Sequence, residues 1–194
     1  KISLNAVSNS SRSNDHLSFT DDDDYLSPGT SVSGNKVELV KSQRGTKKPS
    51  NLKFGFIGLG NVGKQVLKHI MSAGHEVYIW NRTLNKCKDF EKNGATVEKT
   101  PGDVVHNADI TFACLDGGDA SSKIFFGNYG VATQINQMKG YVELTSMDPM
   151  TSIEIEAAVK KSGGRYLEAP LTFTIPTEIE KGKMMAMVSG DRSL

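Results

Sequence analysis

The stretch FGFIGLGNVGKQV, residues 54–66, constrains the fold more than any other part of the chain. Its first residues are apolar and suit a buried β-strand, and glycines follow at positions 58, 60 and 63. In this spacing the first glycine permits a tight turn, the second lets a pyrophosphate approach the backbone, and the third lets a helix pack closely on the strand. A helical apolar period follows, and then a second apolar segment at 76–80. The stretch therefore predicts a strand–helix–strand unit of the Rossmann type.

Two interpretations of this glycine-rich loop remain open at the level of sequence. In the first, the loop binds a dinucleotide, because the N–H groups and the positive dipole end of the following helix face its phosphates. In the second, the glycines only allow the turn and bind no ligand, because a fold can be retained after its original function is lost. The candidate cofactor residues of the loop are Gly58, Leu59, Gly60, Asn61, Val62 and Gly63.

Strands and helices alternate from Leu52 onward. Strands are predicted near 53–58, 76–80, 95–98, 109–115, 140–145, 165–168 and 184–188, and helices near 62–73, 83–92, 101–107, 119–125, 131–137 and 149–162. This order predicts an α/β, doubly wound fold with a mainly parallel sheet over residues 51–194. Thr100-Pro101 and Asp148-Pro149 predict helix starts, whereas Gly94 and Gly163 predict helix stops.

Residues 1–50 differ from the rest of the chain. They are rich in Ser, Asn and Asp and lack an apolar period, so a disordered, charged linker is predicted. Asp21–Asp24 form an acidic cluster, and a sparse basic one follows at Lys36, Lys41, Arg44, Lys47 and Lys48. The linker is either merely solvated or a nuclear-import or DNA-contact segment. Because the sequence begins at Lys1, we expect another segment to precede it.

Composition narrows the class of protein. The formal net charge is +1, so no global field demands a nucleic acid or a membrane as partner. No run of 18 apolar residues predicts a membrane span, and no signal-peptide pattern opens the sequence. The two cysteines, Cys87 and Cys114, make no disulfide framework, and Cys114 is expected to be a small core residue. We therefore expect a reducing, intracellular compartment. No spacing typical of metal ligands occurs.

The end of the second predicted strand bears on the choice of cofactor. NAD-preferring Rossmann domains place a carboxylate here to bind the ribose 2′-hydroxyl, whereas this chain has Asn81, Arg82 and Thr83. The planar guanidinium of Arg82 suits a 2′-phosphate, so NADP(H) is predicted over NAD(H). The alternative is that Arg82 is only an exposed residue at a helix start.

Two later strand ends should line the same crevice, because ligands bind outside the carboxyl ends of the strands. One carries Leu115 and Asp116, and the other carries Thr145. Backbone amides and hydroxyls at these positions are predicted to meet the nicotinamide ribose. The alternative is ordinary loop chemistry.

Several motifs, taken in order, resemble the β-hydroxyacid dehydrogenases, which include 3-hydroxyisobutyrate dehydrogenase and the glyoxylate and succinic-semialdehyde reductases. They are GFIGLGNVG, WNRT, ADITFACL, VELTSMDP, GGRYLEAP and MVSGD, and the resemblance covers about residues 52–194. WNRT..KC, TP.DVV, ADITFAC and GGRYLEAP most resemble a nuclear branch of this family, the glyoxylate-reductase homologues also called cytokine-like nuclear factors. Members of that branch join a PWWP domain and a linker to the dehydrogenase domain.

The resemblance implies a fold and an activity. In the family a C-terminal helical domain, absent from this chain, supplies the catalytic lysine and the oligomer interface, so a truncated domain and a homo-oligomeric full-length protein are expected. Active members reduce a small aldehyde or keto acid with NAD(P)H. The nuclear branch is associated with the loss of the lysine, with nucleosomes, histones and transcribed chromatin, and with a flavin-dependent histone demethylase. A nuclear location follows from this resemblance.

The substrate loop departs from the family pattern. Active members have V-S-G-G after the sixth strand to hold a substrate carboxylate, whereas this chain has Leu171, Thr172, Phe173 and Thr174. A β-carbon in place of either glycine strains the loop or redirects it, and the Phe173 ring fills space meant for the carboxylate. Thr172 is the one candidate catalytic hydroxyl.

The catalytic lysine is expected outside this sequence. By the resemblance it lies beyond Leu194, the last residue, so the catalytic residues are unknown apart from the candidate hydroxyl of Thr172. The family's lysine motif matches none of the four lysines Lys160, Lys161, Lys181 and Lys183.

The sequence is therefore compatible with three functions. The favoured one is a chromatin-associated interaction module that binds NADP(H) but is catalytically impaired. The alternative is an active NADPH-dependent reductase of glyoxylate or succinic semialdehyde. The third is a nucleotide sensor whose affinity for a partner changes with bound cofactor.

Overall fold

The computed structural model describes residues 50–172, 181 and 183–194. Its main sheet has seven strands in the order β3-β2-β1-β4-β5-β6-β9, and all of them run parallel except β9. The strands are β1 (Phe54–Ile57), β2 (Val77–Trp80), β3 (Thr96–Val97), β4 (Ile110–Ala113), β5 (Gly140–Glu143), β6 (Arg165–Glu168), β7 (Leu171–Thr172), β8 (Met185–Ala186) and β9 (Ser189–Gly190). β7 and β8 form a separate antiparallel pair. The predicted α/β, Rossmann-type fold is confirmed.

Five α-helices lie among the described residues of this fold. They are α1 (Gly63–Ser72), α2 (Lys88–Lys92), α3 (Pro101–Asn107), α4 (Gly118–Phe126) and α5 (Pro149–Lys161). Among the described helices, none is both long and apolar enough to cross a membrane.

The helices bury both faces of the sheet. On one face, Val66 and Leu67 of α1 pack with Phe56 and Ile79 of the strands. On the other, residues of α3, α4 and α5 pack with β1, β5 and β6; they include Val104, Phe125, Ile155, Tyr141 and Tyr166. Because both faces are covered, the central strands are apolar with little alternation, as in other parallel sheets.

The predicted helix boundaries at the prolines are present and explained by capping. Thr100 caps α3 in a reciprocal box: its hydroxyl accepts from the N–H of Asp103, whose carboxylate accepts from the N–H of Thr100, both at 3.1 Å. Asp148 caps α5 by accepting from the N–H of Thr151 at 3.0 Å. Gly94 and Gly163 follow α2 and α5 with φ of +100° and +79°, which ends each helix.

The helix predicted at 131–137 is wrong. Residues Val131–Thr133 form a single 3₁₀ turn, and the chain then turns at Asn136. The Asn136 side chain accepts from the N–H of Met138 at 2.9 Å, and its carbonyl accepts from Lys139 at 2.9 Å. Such a side-chain bond to the backbone two residues on competes with helix formation.

Two further elements are shorter than predicted. The helix predicted at 83–92 is a 3₁₀ turn, Leu84–Lys86, followed by α2. The strand predicted at 184–188 is divided, since β8 pairs with β7 and β9 pairs with β6. Pro170 precedes β7 and has no N–H to donate, so it cannot extend the β7–β8 ladder in full. Cys87 is buried, whereas Cys114 is only partly buried against the core.

Two predictions lie outside the described residues. These are the disordered linker, apart from Ser50, and the substrate-loop residues Phe173 and Thr174. Lys181 and Lys183 lie within the described part and are exposed.

Candidate dinucleotide-binding site

The strand order creates a crevice at the carboxyl edge of the sheet. From β1 the chain proceeds outward to β2 and β3, and it then returns to β4 on the other side of β1. The loops that leave β1 and β4 therefore diverge, and such a divergence is where α/β sheets bind their ligands. The predicted cofactor residues follow β1, β2, β4 and β5, so the fold brings all of them to one edge.

Two of the three loop glycines are required by the protein itself. Gly58 has φ of +98°, and a β-carbon there would clash with the carbonyl oxygen of Cys114. A β-carbon on Gly63 would clash with the carbonyl oxygen of Gly58, because α1 starts directly against the end of β1. These contacts give the glycines a structural role whether or not a ligand binds.

Gly60 differs from both of these glycines. A β-carbon at Gly60 would meet no protein atom within 4 Å, and the residue is exposed. Nothing in the described packing therefore requires glycine here. The absence of a side chain leaves open space next to the start of α1, where a pyrophosphate would approach the backbone.

The start of α1 suits an anion. The N–H groups of Asn61, Val62 and Gly63 have no hydrogen-bond acceptor among the described residues. The first turn of α1 carries no acidic residue, and Lys64 lies in it. Its positive dipole end is therefore unneutralised. Open space, free N–H donors and a positive helix end together fit the pyrophosphate of a nicotinamide dinucleotide.

Asn81 supports the loop from beneath. Its side chain is buried, its Oδ1 accepts from the N–H of Leu59 at 2.8 Å, and its Nδ2 donates to the carbonyl of Thr83 at 2.9 Å. The amide therefore joins the end of β2 to the glycine loop across 22 residues. Among the predicted cofactor residues, Asn81 and Leu59 hold the loop in shape.

Arg82 and Thr83 are exposed at the end of β2, beyond the buried Asn81. Within the described ranges, Arg82 forms no ion pair or side-chain hydrogen bond. Its guanidinium is therefore available to an incoming anion. Sequence reasoning missed Lys86, which lies on the following 3₁₀ turn. Lys86 lines an open groove of about 750 Å³ with Leu59, Asn61, Lys64 and Lys68, among others, and this groove adds positive charge beside the loop.

The strand ends on the other side of the crevice are linked to each other. The N–H of Leu115 donates to Oγ1 of Thr145 at 2.9 Å. Thr145 is 3% exposed, Leu115 is half-buried, and Asp116 is exposed. The predicted residues Leu115 and Thr145 therefore form one hydrogen-bonded unit, and Asp116 extends from it towards solvent.

Glu143 is a buried residue in contact with the candidate site residue Thr145, and it was not predicted from the sequence. It ends β5 with 0% exposure, and its Oε1 accepts from the N–H of Thr145 at 3.1 Å. Its Oε2 accepts from the hydroxyl of Tyr141 at 3.2 Å. Burial raises the pKa of the Glu143 carboxyl from 4.5 to about 7. The signal in the sequence was a carboxylate within the apolar strand GYVELT.

Thr172 does not belong to the main sheet, whose strand ends carry the other predicted site residues. It is exposed on β7, opposite Met185 of β8, and outside the main sheet. Its hydroxyl has no hydrogen-bond partner in the described part of the chain. The same part of the chain contains no group of three or more side chains that could hold a metal ion. Thr172 therefore remains a candidate by its position in the sequence only.

Leu194, beyond which the catalytic lysine is expected, is a packing residue and not a site residue. It is partly buried and packs against the hydrophobic cluster that contains the apolar residues of α1. Its side chain occupies the space beside Gly140, where a β-carbon would clash with it. The glycine that starts β5 therefore accommodates Leu194, and the catalytic lysine stays an expectation from the resemblance alone.

Residues 53–194 match the family of the NAD binding domain of 6-phosphogluconate dehydrogenase, and the chain belongs to this family. The described region is thus an NAD(P)-binding domain with a dehydrogenase fold.

Sequence relatives carry a common name. The cytokine-like nuclear factor N-PAC of Anopheles gambiae is 43% identical over 147 residues, which cover 76% of this chain and 26% of that protein. The human cytokine-like nuclear factor N-PAC is 36% identical over 150 residues, which cover 77% of this chain and 27% of that protein. The chain spans about a quarter of the length of these relatives. Their names confirm the recognised branch and, at the level of these relatives, the predicted nuclear localisation.

Solved structures share the fold. The 3-hydroxyisobutyrate dehydrogenase of Mycobacterium tuberculosis, solved with L-serine, superposes with a TM-score of 0.63 at 20% identity and covers 74% of this chain and 48% of its own. Psf3, solved in complex with NADP+ and 2-OPP, superposes with a TM-score of 0.67 at 25% identity and covers 72% of this chain and 49% of its own. The similarity to the first of these shows the fold alone.

Proposed function

We propose that this domain binds NADP(H) in the crevice. The loop from Gly60 to Gly63 holds the pyrophosphate, Arg82 pairs with the 2′-phosphate, and Leu115, Asp116 and Thr145 line the nicotinamide side. The observation that carries the proposal is Arg82, which is exposed, forms no ion pair with any described residue, and lies at a strand end that has no carboxylate. Arg82 and Lys86 would favour the phosphate by charge, and the planar guanidinium also offers paired donors.

The adenosine half of the site can be tested by itself. We expect 2′,5′-ADP to bind more tightly than 5′-AMP by about tenfold, because the two differ by the phosphate that Arg82 would contact. Titration calorimetry on the chain measures both affinities. Equal affinities would remove the argument for NADP(H) while leaving a dinucleotide site in place.

We further propose that the domain is catalytically impaired. A bound nicotinamide cofactor supplies hydride chemistry, but a reductase must also anchor the substrate and protonate its oxygen. The residues that follow Pro170 depart from the V-S-G-G pattern of active relatives, and Thr172 is exposed outside the main sheet. Loss of an anchor or a general acid each costs roughly 10²-fold or more in rate.

The role that remains is that of an interaction module on chromatin, with nucleosomes and histones as partners. The names of the nuclear-factor relatives support this proposal, as does the basic segment of the linker, whose lysines and arginine suit DNA phosphates. We expect the chain to bind nucleosomes in a salt-dependent manner. A variant with Lys36, Lys41, Arg44, Lys47 and Lys48 changed to Gln should bind more weakly, with Arg82→Ala as the matched control in the folded domain. Equal binding by the linker variant would remove the DNA contact from the proposal.

The intact crevice favours one alternative, an NADPH-dependent reductase. The full-length protein would then oxidise NADPH in the presence of glyoxylate or succinic semialdehyde, and Arg82→Ala would raise KM for NADPH. No turnover by a protein that binds NADPH would contradict this alternative and support the interaction module. A nucleosome affinity that changes when NADPH is added would instead indicate nucleotide sensing, by reciprocal linkage.

A further inference from the structure

Glu143 is a buried carboxylic acid that has no cationic partner among the described residues. It is 0% exposed at the end of a central strand, and no Lys, Arg or His among the described residues pairs with it. Its carboxylate has two donors, the hydroxyl of Tyr141 and the N–H of Thr145. Burying an ionised carboxylate away from water costs free energy, and this desolvation raises the pKa of Glu143 to about 7.

No cation is among the groups that shift the pKa of Glu143, and none of the ion pairs among the described residues includes it. Burial raises the pKa of the Cys114 thiol, which follows β4, to about 12, and burial also raises the pKa of Tyr141 of β5 and of Tyr166 of β6. These three groups are therefore neutral at pH 7. Tyr166 in turn lies near two further carboxylates, those of Glu168 on β6 and Glu156 on α5. Compared with Cys114, Tyr141 and Tyr166, Glu143 is the group whose pKa lies near 7.

α4 supplies a polar group that can serve both charge states of Glu143. The hydroxyl of Ser121 is buried and has no hydrogen-bond partner among the described residues, although its proximity lowers the pKa of Glu143. A hydroxyl can donate to the carboxylate or accept from the neutral acid. Both protonation states of Glu143 are therefore compatible with the fold.

Glu143 lies directly behind Thr145, one of the residues proposed to line the nicotinamide side of the crevice. The N–H of Thr145 donates to Glu143, and the hydroxyl of Thr145 accepts from the N–H of Leu115 at 2.9 Å. In a doubly wound sheet the dinucleotide lies across the two halves. The glycine loop and Arg82 belong to the half built on β1 and β2, so the nicotinamide falls to the half built on β4 and β5.

We propose that Glu143 is a specificity-determining residue that makes the site discriminate between oxidised and reduced cofactor. This inference rests on the proposed NADP(H) function. The oxidised nicotinamide ring carries a positive charge that the reduced ring lacks, so a nearby buried carboxylate stabilises NADP+ relative to NADPH. Because Glu143 ionises near neutral pH, the preference for NADP+ grows as the pH rises. By reciprocity, NADP+ binding lowers the pKa of Glu143 and releases a proton.

The test is the ratio of the dissociation constants for NADP+ and NADPH, measured by calorimetry at pH 6, 7 and 8. In the wild-type chain this ratio should fall on the order of threefold or more between pH 6 and pH 8. The 2′-phosphate titrates near pH 6 in both cofactors and so cancels in the ratio. In Glu143→Gln, which keeps the size and an acceptor but cannot ionise, the ratio should be constant.

A second readout is independent of the variant. In buffers of different ionisation enthalpy, NADP+ binding to the wild-type chain near pH 7 should release more protons than NADPH binding does. A ratio that does not change with pH in the wild-type chain, or that changes equally in Glu143→Gln, would overturn the inference alone. Absence of binding by both cofactors would overturn the proposed function, and this inference with it.

Discussion

The side-chain oxygen of Asn81 accepts a hydrogen bond from the backbone N–H of Leu59 at 2.8 Å, inside the protein and 22 residues away in sequence. This bond fixes the end of β2 against the glycine-rich loop. The same amide donates to the carbonyl of Thr83 at 2.9 Å, so it shapes the segment that carries Arg82 as well. One buried amide thus positions both parts of the candidate phosphate site.

Asn81→Ala should lower stability and weaken cofactor binding together. The change leaves the buried N–H of Leu59 without its acceptor, at a cost of about 1–3 kcal/mol. Chemical denaturation and NADPH titration measure the two effects. Asn85→Ala, at an exposed asparagine of the neighbouring 3₁₀ turn, is the control and should change neither. An unchanged stability in Asn81→Ala would contradict the structural role of the amide.

Gly63→Ala should destabilise the folded domain, whereas Gly60→Ala should leave its stability unchanged and weaken NADPH binding. Gly63→Ala forces a β-carbon against the Gly58 carbonyl, so the free energy of unfolding should fall by about 2 kcal/mol or more. Gly60→Ala meets no protein atom and should change stability by less than about 0.5 kcal/mol. It should nevertheless weaken NADPH binding at least tenfold, because its methyl group occupies the open space beside α1. Undiminished NADPH affinity in a folded Gly60→Ala variant would show that this space is not used.

Glu143 should make the folded domain less stable as the pH rises. Its folded pKa of about 7 exceeds its ordinary value of 4.5, so the folded state holds the proton more tightly than the unfolded state. The stabilisation is complete below about pH 4.5 and is lost as the pH rises through about 7. The loss is roughly 3–4 kcal/mol at most, since the pKa differs by about 2.5 between the folded and unfolded states.

Glu143→Gln should remove this contribution and be the more stable protein at pH 8, since a neutral amide stays in place of a buried carboxylate. Denaturation curves between pH 5 and pH 8 measure the difference. Glu154→Gln, at an exposed position of α5, provides the matched control. Parallel pH profiles for the wild-type chain and Glu143→Gln would contradict the assigned burial effect.

Most of the fold could be predicted because its signals are local. The glycine spacing at 58, 60 and 63 and the prolines after Thr100 and Asp148 act through backbone geometry and capping, which a sequence displays directly. The helix predicted at 131–137 failed for a related reason. There the side chain of Asn136 bonds its own backbone, and this local competition outweighed the apolar pattern.

The sequence predicted where the candidate site lies, but not the hydrogen bonds and burial of its individual residues. Arg82 and Thr145 lie at strand ends, and the topology of a parallel sheet brings strand ends together. The side-chain bond from Asn81 to Leu59 depends on tertiary packing, which neither residue type nor spacing encodes. Glu143 was missed because its importance comes from complete burial, a property of the assembled sheet.

The measurement that tests the central claim most directly is the affinity of the chain for NADPH and for NADH, in the wild type and in Arg82→Ala. We expect the wild-type chain to bind NADPH at least about tenfold more tightly than NADH, and Arg82→Ala to abolish this preference by weakening NADPH binding alone. Lys88→Ala, a neighbouring exposed cation on α2, should keep the preference. Equal wild-type affinities, or a preference that survives in Arg82→Ala, would contradict the proposed recognition of the 2′-phosphate by Arg82.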